Sequence, residues 1–198
     1  GSVPGDTPGC PDGLFVVQDG SSQLGVSALG ARPGMTVIDC CSAPGGKAFG
    51  AAADMEGVGR VICLDIHEKK LSLIRNGAER LGISIIETAV CDEKTGDPSL
   101  DGIADRVICD VPCSGLGVIS KKPEIRLRDM SSTGDLNRTQ LAVLTRASRY
   151  LKPEGRLVYS TCTLNGAENG DVVRRFLAEN VGFTSVSETT VRPGPDRD

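Results

Sequence analysis

Aromatic residues are scarce in this chain of 198 amino acids, making up 3% of it with no tryptophan. Rings that few cannot be the main source of affinity for stacked bases. Histidine occurs once, at His67, and the eight cysteines, at 10, 40, 41, 63, 91, 109, 113 and 162, contain no CxxC pair. Zinc sites need thiolates or imidazoles at close, repeated spacing, so no metal is expected. No apolar run approaches the roughly 20 residues of a membrane helix, and no charged segment followed by an apolar stretch marks a secretory leader. The expected setting is therefore cytoplasmic, away from membranes, with the cysteines reduced. A basic excess is also missing: the net charge of −4 argues against a domain held on nucleic acid by charge alone.

What the chain does have is the composition of one folded domain. Apolar residues at 39%, together with 25 glycines, support a core of ordinary size. Residues 1–13 are rich in turn formers and read as a flexible tail, leaving 14–198 as the domain. Within it, short apolar runs predict strands at Thr36–Cys40, Val61–Asp65, Ile83–Val90, Arg106–Asp110 and Leu157–Ser160, with a weaker candidate at Phe183–Ser187. Helical spacing links Leu71, Ile74, Ala78 and Leu81, then Leu141, Leu144, Ala147 and Leu151, then Val172, Val173, Phe176 and Leu177. Gly82 and Pro153 are expected to stop the first two of these helices. Alternating strands and helices imply an α/β fold with a doubly wound, mostly parallel sheet, whose ligands bind beyond the carboxyl ends of the strands.

The first strand runs into Cys41-Ser42-Ala43-Pro44-Gly45-Gly46-Lys47. Paired glycines allow close approach of a ligand, yet the segment matches neither G-x-G-x-x-G nor the P-loop, so a pyrophosphate is not expected. Asp65 ends the second strand, placed to accept from ribose hydroxyls, and Asp92 follows the third, placed to meet an adenine amino group. A binding loop without a phosphate clamp, plus an acid for the ribose, suits S-adenosylmethionine. The plainer reading is a tight strand-to-helix turn with Asp65 on the surface.

Cys113 follows the fourth strand in Asp110-Val111-Pro112-Cys113-Ser114-Gly115, and Cys162 follows the fifth in Ser160-Thr161-Cys162-Thr163. If those strands are neighbours, both thiols face one site. For a free cysteine taken alone, burial as a small hydrophobe is the usual fate, and that is the expectation for Cys40, Cys63, Cys91 and Cys109.

Taken in order, Val17–Leu24, Cys41–Lys47, Asp110–Gly115, Lys122-Pro123-Glu124-Ile125-Arg126, Ser160–Thr163 and Glu168-Asn169 resemble the Sun/Fmu family of RNA cytosine-5 methyltransferases, over roughly Phe15 to Leu177. The resemblance implies a Rossmann-like class I methyltransferase catalytic domain using S-adenosylmethionine on RNA, with ribosomal RNA the expected substrate. It implies Cys162 as the nucleophile toward carbon 6 of cytosine and Cys113 as the residue of product release. Asp110 is then suited to the cytosine ring nitrogen or amino edge, as well as to the cofactor side, and Lys47 to lowering a thiol pKa. Lys121, Lys122, Arg126 and Arg128, a solvated patch if read alone, become candidate contacts to RNA backbone. A further run, Arg138, Arg146, Arg149 and Lys152, reads as a solvated helix face.

The chain departs from the family pattern in opening almost at the catalytic core and in lacking the final antiparallel edge strand, and Gly166-Ala167 stands before Glu168-Asn169. Two other readings stand beside this one. A non-catalytic module would hold RNA or cofactor without turnover, and a DNA cytosine-5 methyltransferase would use Cys113 as nucleophile.

Overall fold

The computed structural model describes residues 9–119, 123–127 and 133–192. Five strands, β1 (Thr36–Cys40), β2 (Arg60–Asp65), β3 (Ile86–Val90), β4 (Ala104–Asp110) and β5 (Leu151–Ser160), form one sheet in the order β3-β2-β1-β4-β5, with every pairing parallel. Parallel strands need long crossovers, which here carry α2 (Gly46–Asp54), α3 (Glu68–Arg80) and α4 (Thr133–Ser148); α1 (Gly20–Leu29) precedes the sheet and α5 (Gly170–Glu179) follows it. The expected α/β class and parallel doubly wound sheet are what the chain forms.

Both faces of the sheet are covered. On one, Val37, Val61, Cys63 and Ile108 pack with Leu29, Phe49, Leu71 and Ile74 from the first three helices. On the other, Ile38, Ile62, Leu64 and Val107 meet Val143, Ala147 and Tyr150 of α4 and the turn after it. Residues alternate between these two cores along the central strands, so Val37-Ile38, Val61–Leu64 and Val107–Cys109 are continuous apolar runs, as double-sided burial requires. Cys40, Cys63, Cys91 and Cys109 are all buried, as expected of thiols without a chemical context.

Three sequence expectations change. The run at Phe183–Ser187 forms no strand: Phe183 packs edge-on against Phe176, with ring centroids 5.2 Å apart, while Val186 stays 78% exposed. A segment with one ring to bury gains more from that contact than from a sheet edge. Leu151 belongs to β5, not to the helix before it, because α4 ends at Ser148 and Tyr150 turns inward, its carbonyl accepting from Ala104 N at 2.8 Å. Pro153 therefore stops no helix; it lies in β5 beside the register shift opposite Ala104/Arg106, an irregular edge position that tolerates a missing N–H. Gly82 does close α3, at φ +67. Of the expected tail, residues 9–13 are described: they form turns, Cys10 is buried, and its carbonyl accepts from Arg80 on α3.

Candidate active site

Strand order reverses between β1 and β4, and the loops that leave these strands open the crevice there. From β1 the chain passes through Cys41, whose φ of +60 is unusual for a side chain with a Cβ, into Ser42. Ser42 N and Oγ both donate to the Leu64 carbonyl, at 2.9 and 3.1 Å, which fastens the turn to β2. Gly45 sits at φ +105, and a Cβ there would lie 2.8 Å from the Phe49 ring, so both the turn and the packing beneath it require glycine. Gly46 then starts α2.

These residues enclose a cavity of about 270 Å³. One wall is Cys41 to Pro44 with Gly46 and Lys47, the other is the stretch before α1 (Val17, Gln18, Asp19) with Ser22, and Asp39 and Asp110 complete the lining. Of the sequence-predicted cofactor residues, Cys41, Ser42, Ala43, Pro44, Gly46, Lys47 and Asp110 meet here, while Gly45 supports the loop from behind. Asp65 and Asp92 do not line the cavity. Asp65 is buried at the end of β2, accepting from His67 N at 2.9 Å with Lys70 Nζ 3.5 Å away; Asp92 is exposed and accepts from Lys94 N at 2.9 Å.

Two lining residues that the sequence reading left out stand out electrostatically. Asp39 is 1% exposed and neither carboxylate oxygen has a hydrogen-bond partner among the described residues, and Gln18 Nε2 is likewise buried without an acceptor among them. Burial drives the Asp39 carboxyl well above the usual carboxylate range; nearby Lys47 opposes this, and Asp110 adds to it. A buried acid with no partner, facing a cavity, is built for a cationic or donor-bearing ligand.

Lys47 reaches across the cavity to Asp110, Nζ to Oδ2 2.5 Å, and lies 3.5 Å from Ser22 Oγ. Its ammonium is thus engaged by a carboxylate rather than by a thiol. Asp110 also accepts from Ser160 Oγ at 2.7 Å, its partner in the β4–β5 register. Past this pair the two strands part into loops that meet again at the cysteines: Cys113 Sγ and Cys162 Sγ are 3.0 Å apart, and Cys162 N donates to Cys113 Sγ at 3.3 Å. The contact with Cys162 is the first reason that the Cys113 thiol is pushed far above its ordinary value, with burial second.

The clamp that holds the two loops together is long-range and was not legible from local pattern. Glu168, fully buried, accepts from Ser114 N at 2.8 Å, Gln140 Nε2 at 3.1 Å and Asn165 Nδ2 at 3.0 Å. Burial alone would raise this carboxyl, yet the donors from Ser114, Gln140 and Asn165 hold it below the usual range. Gln140 donates also to the Pro112 carbonyl (2.9 Å), and Ser114 Oγ pairs with Thr163 Oγ1 at 2.8 Å. Gly117 N donates to the Cys162 carbonyl at 3.0 Å, and a Cβ on Gly117 would come within 2.8 Å of that oxygen. Lys121, Lys122 and Arg128 lie outside the described residues, as does the side chain of Arg126, whose backbone belongs to the 3-10 turn Pro123–Leu127.

A family model described as 16S rRNA methyltransferase RsmB/F matches residues 26–193. The chain belongs to this family. It is 38% identical over 174 residues to the probable ribosomal RNA small subunit methyltransferase B of Bacillus subtilis, covering 87% of this chain and 39% of that protein. The chain thus spans about two fifths of the length of that relative. Among solved structures it resembles NSun6 from Pyrococcus horikoshii with SFG, an S-adenosylmethionine analogue, at a TM-score of 0.82 and 28% identity over 90% of this chain and 46% of that one. A methyltransferase homolog from the same organism matches at 0.77 and 30% identity, over 90% of this chain and 56% of the other. The RsmB/F fold thus places the glycine turn and the two cysteines on one Rossmann-like methyltransferase scaffold.

Proposed function

We propose that this domain transfers a methyl group from S-adenosylmethionine to carbon 5 of a cytosine in ribosomal RNA, through a covalent adduct on Cys162. The observation that carries the reading is the pair of thiols 3.0 Å apart at the ends of adjacent strands, next to Asp110, which also lines the cavity. S-adenosylmethionine supplies an electrophilic methyl carbon on a sulfonium. The cavity suits it: no phosphate clamp is present, Asp39 offers an uncompensated acid to its positive charge, and Gln18 offers an unused donor.

Carbon 5 of cytosine is a poor nucleophile until a thiolate adds at carbon 6 and pushes the ring's electron pair toward it. The contact with Cys162, and burial after it, raise the Cys113 thiol, so Cys113 keeps its proton while Cys162 acts as the attacking sulfur. Cys162 is also the more exposed of the two, open to an incoming base. Asp110, oriented by Lys47 and Ser160, accepts from the cytosine amino edge and supports electron flow into the ring. Methyl transfer releases S-adenosylhomocysteine; solvent water then takes the carbon 5 proton, the C5–H electron pair re-forms the double bond between carbons 5 and 6, and the carbon 6–sulfur pair returns to Cys162, with the protonated Cys113 beside it to stabilise the departing thiolate. Positioning of both reactants over neighbouring strand ends supplies much of the acceleration.

RNA containing 5-fluorocytosine tests this reading, because fluorine at carbon 5 cannot leave as a proton does and the adduct persists. The protein with cofactor should give a band that survives denaturing electrophoresis, Cys162→Ala should abolish it, and Cys113→Ala should prolong adducts on ordinary RNA. Trapping through Cys113, or equal trapping of DNA, would overturn the assignment.

A further inference from the structure

Away from the crevice, a second depression of about 400 Å³ lies along the outer side of α4. Its lining carries Lys94, Arg138, Arg146 and Arg149 against one acid, Glu179. Arg138, Ala142 and Thr145 follow one another at spacings of four and three on one face of α4, and Arg149, in the turn directly after the helix, extends that face to about 16 Å. Lys152, grouped with these arginines by sequence, lies elsewhere and pairs with Asp105 at 2.8 Å.

Arg146 is the fixed element of this groove. It is 7% exposed, its Nε donates to the Thr95 carbonyl at 2.9 Å, Nη2 pairs with Asp101 at 2.7 Å, and its guanidinium stacks 4.6 Å from the Tyr150 ring centroid. Gly96 makes room for it, since a Cβ there would fall 2.0 Å from Nε. Nη1 alone has no acceptor among the described residues. A buried guanidinium with an unused N–H in a basic depression calls for an anionic oxygen. Lys94 and Arg149 are exposed and pair with no acid among the described residues.

We infer that the outer groove of α4 binds the phosphodiester backbone of the RNA substrate, guiding the strand away from the reaction centre. The inference rests on the proposal that RNA is the substrate. Continuity supports it: Gln140, on the inner side of the same helix turn that carries Arg138, donates to Pro112 O and Glu168 in the thiol clamp. The groove is longer than the spacing of successive phosphates on a strand, so it engages more than one.

The test is the salt dependence of binding to a short single-stranded RNA containing a single cytosine, followed by fluorescence anisotropy. Lys94→Ala and Arg149→Ala, both at exposed positions, should each weaken binding several-fold and lower the slope of log affinity against log salt by about 0.7. The methyl-transfer rate at saturating RNA should not change. Unchanged affinity and slope overturn the groove, as does a variant that loses rate at saturation with affinity intact. If the two substitutions change the slope while the wild-type chain transfers no methyl group, the groove is upheld and the catalytic reading is overturned instead.

Discussion

Asp39 is held in a state that ordinary carboxylates avoid. Its folded-state pKa is raised by burial, so the folded protein binds this proton more tightly than the unfolded chain does. Its contribution to stability is therefore complete below the unfolded value of about 3.9 and is lost as pH rises through the folded value. A cationic adenosyl ligand reverses the balance, because it favours the ionised acid and displaces the proton. Affinity for S-adenosylmethionine is predicted to rise with pH across the range in which Asp39 ionises and to level off above it, with Asp39→Asn giving a flat profile. Calorimetry in buffers of different ionisation enthalpy would count the displaced proton; a wild-type affinity that ignores pH while binding releases no proton would contradict the account. The sequence made Asp39 visible only as the end of a strand. Its lack of partners is a property of three-dimensional surroundings, as is the diversion of Asp65 to the backbone of His67.

At the level of elements, the site depends on a clamp between two loops that are far apart in the chain. Ser114 and Glu168 are separated by 54 positions, and no periodicity or spacing announces their contact. Strands β1 and β2 were readable almost to the residue because burial on both faces gives each a run of consecutive apolar residues. Helix α1 was not: two glycines and exposed Leu24 blur its pattern, and its clearest signal is the cap, with Asp19 accepting from Ser21 N at 3.1 Å. Replacing Glu168 with Gln would set an amide N–H against three donors and leave at least one of them unsatisfied in a buried place. The expected loss is about 1–3 kcal/mol in urea denaturation, together with slower adduct formation. The wild-type carboxyl, held low, stabilises the fold above the unfolded glutamate range of about 4.3 and ceases to do so as pH falls through its folded value. Glu168→Gln should accordingly weaken the acid sensitivity of stability, while an unaltered acid transition would remove Glu168 from the clamp.

On the scale of the molecule, the class and strand alternation were legible because crossovers between parallel strands leave a strong rhythm of short apolar runs and helices. The sequence also placed both cysteines at strand ends. What it could not supply was the distance between them, set by the Glu168 clamp and by the absence of a side chain at Gly117. The reversal of strand order has a practical corollary. Everything that lines the cavity except Asp110 comes before residue 50, ahead of β2 in the chain, whereas both thiols come after β4. The chain crosses between these halves once, through the segment around Gly96 to Gly102, and the halves adhere through the β1–β4 ladder, the packing of α1 on β5, and the Lys47–Asp110 and Arg146–Asp101 pairs. The domain should therefore survive as two polypeptides. Fragments divided near Gly102 should be inert when made separately and should co-purify and recover methyl transfer when made together; failure to associate would mean that the ladder and these side-chain contacts do not hold the halves in register.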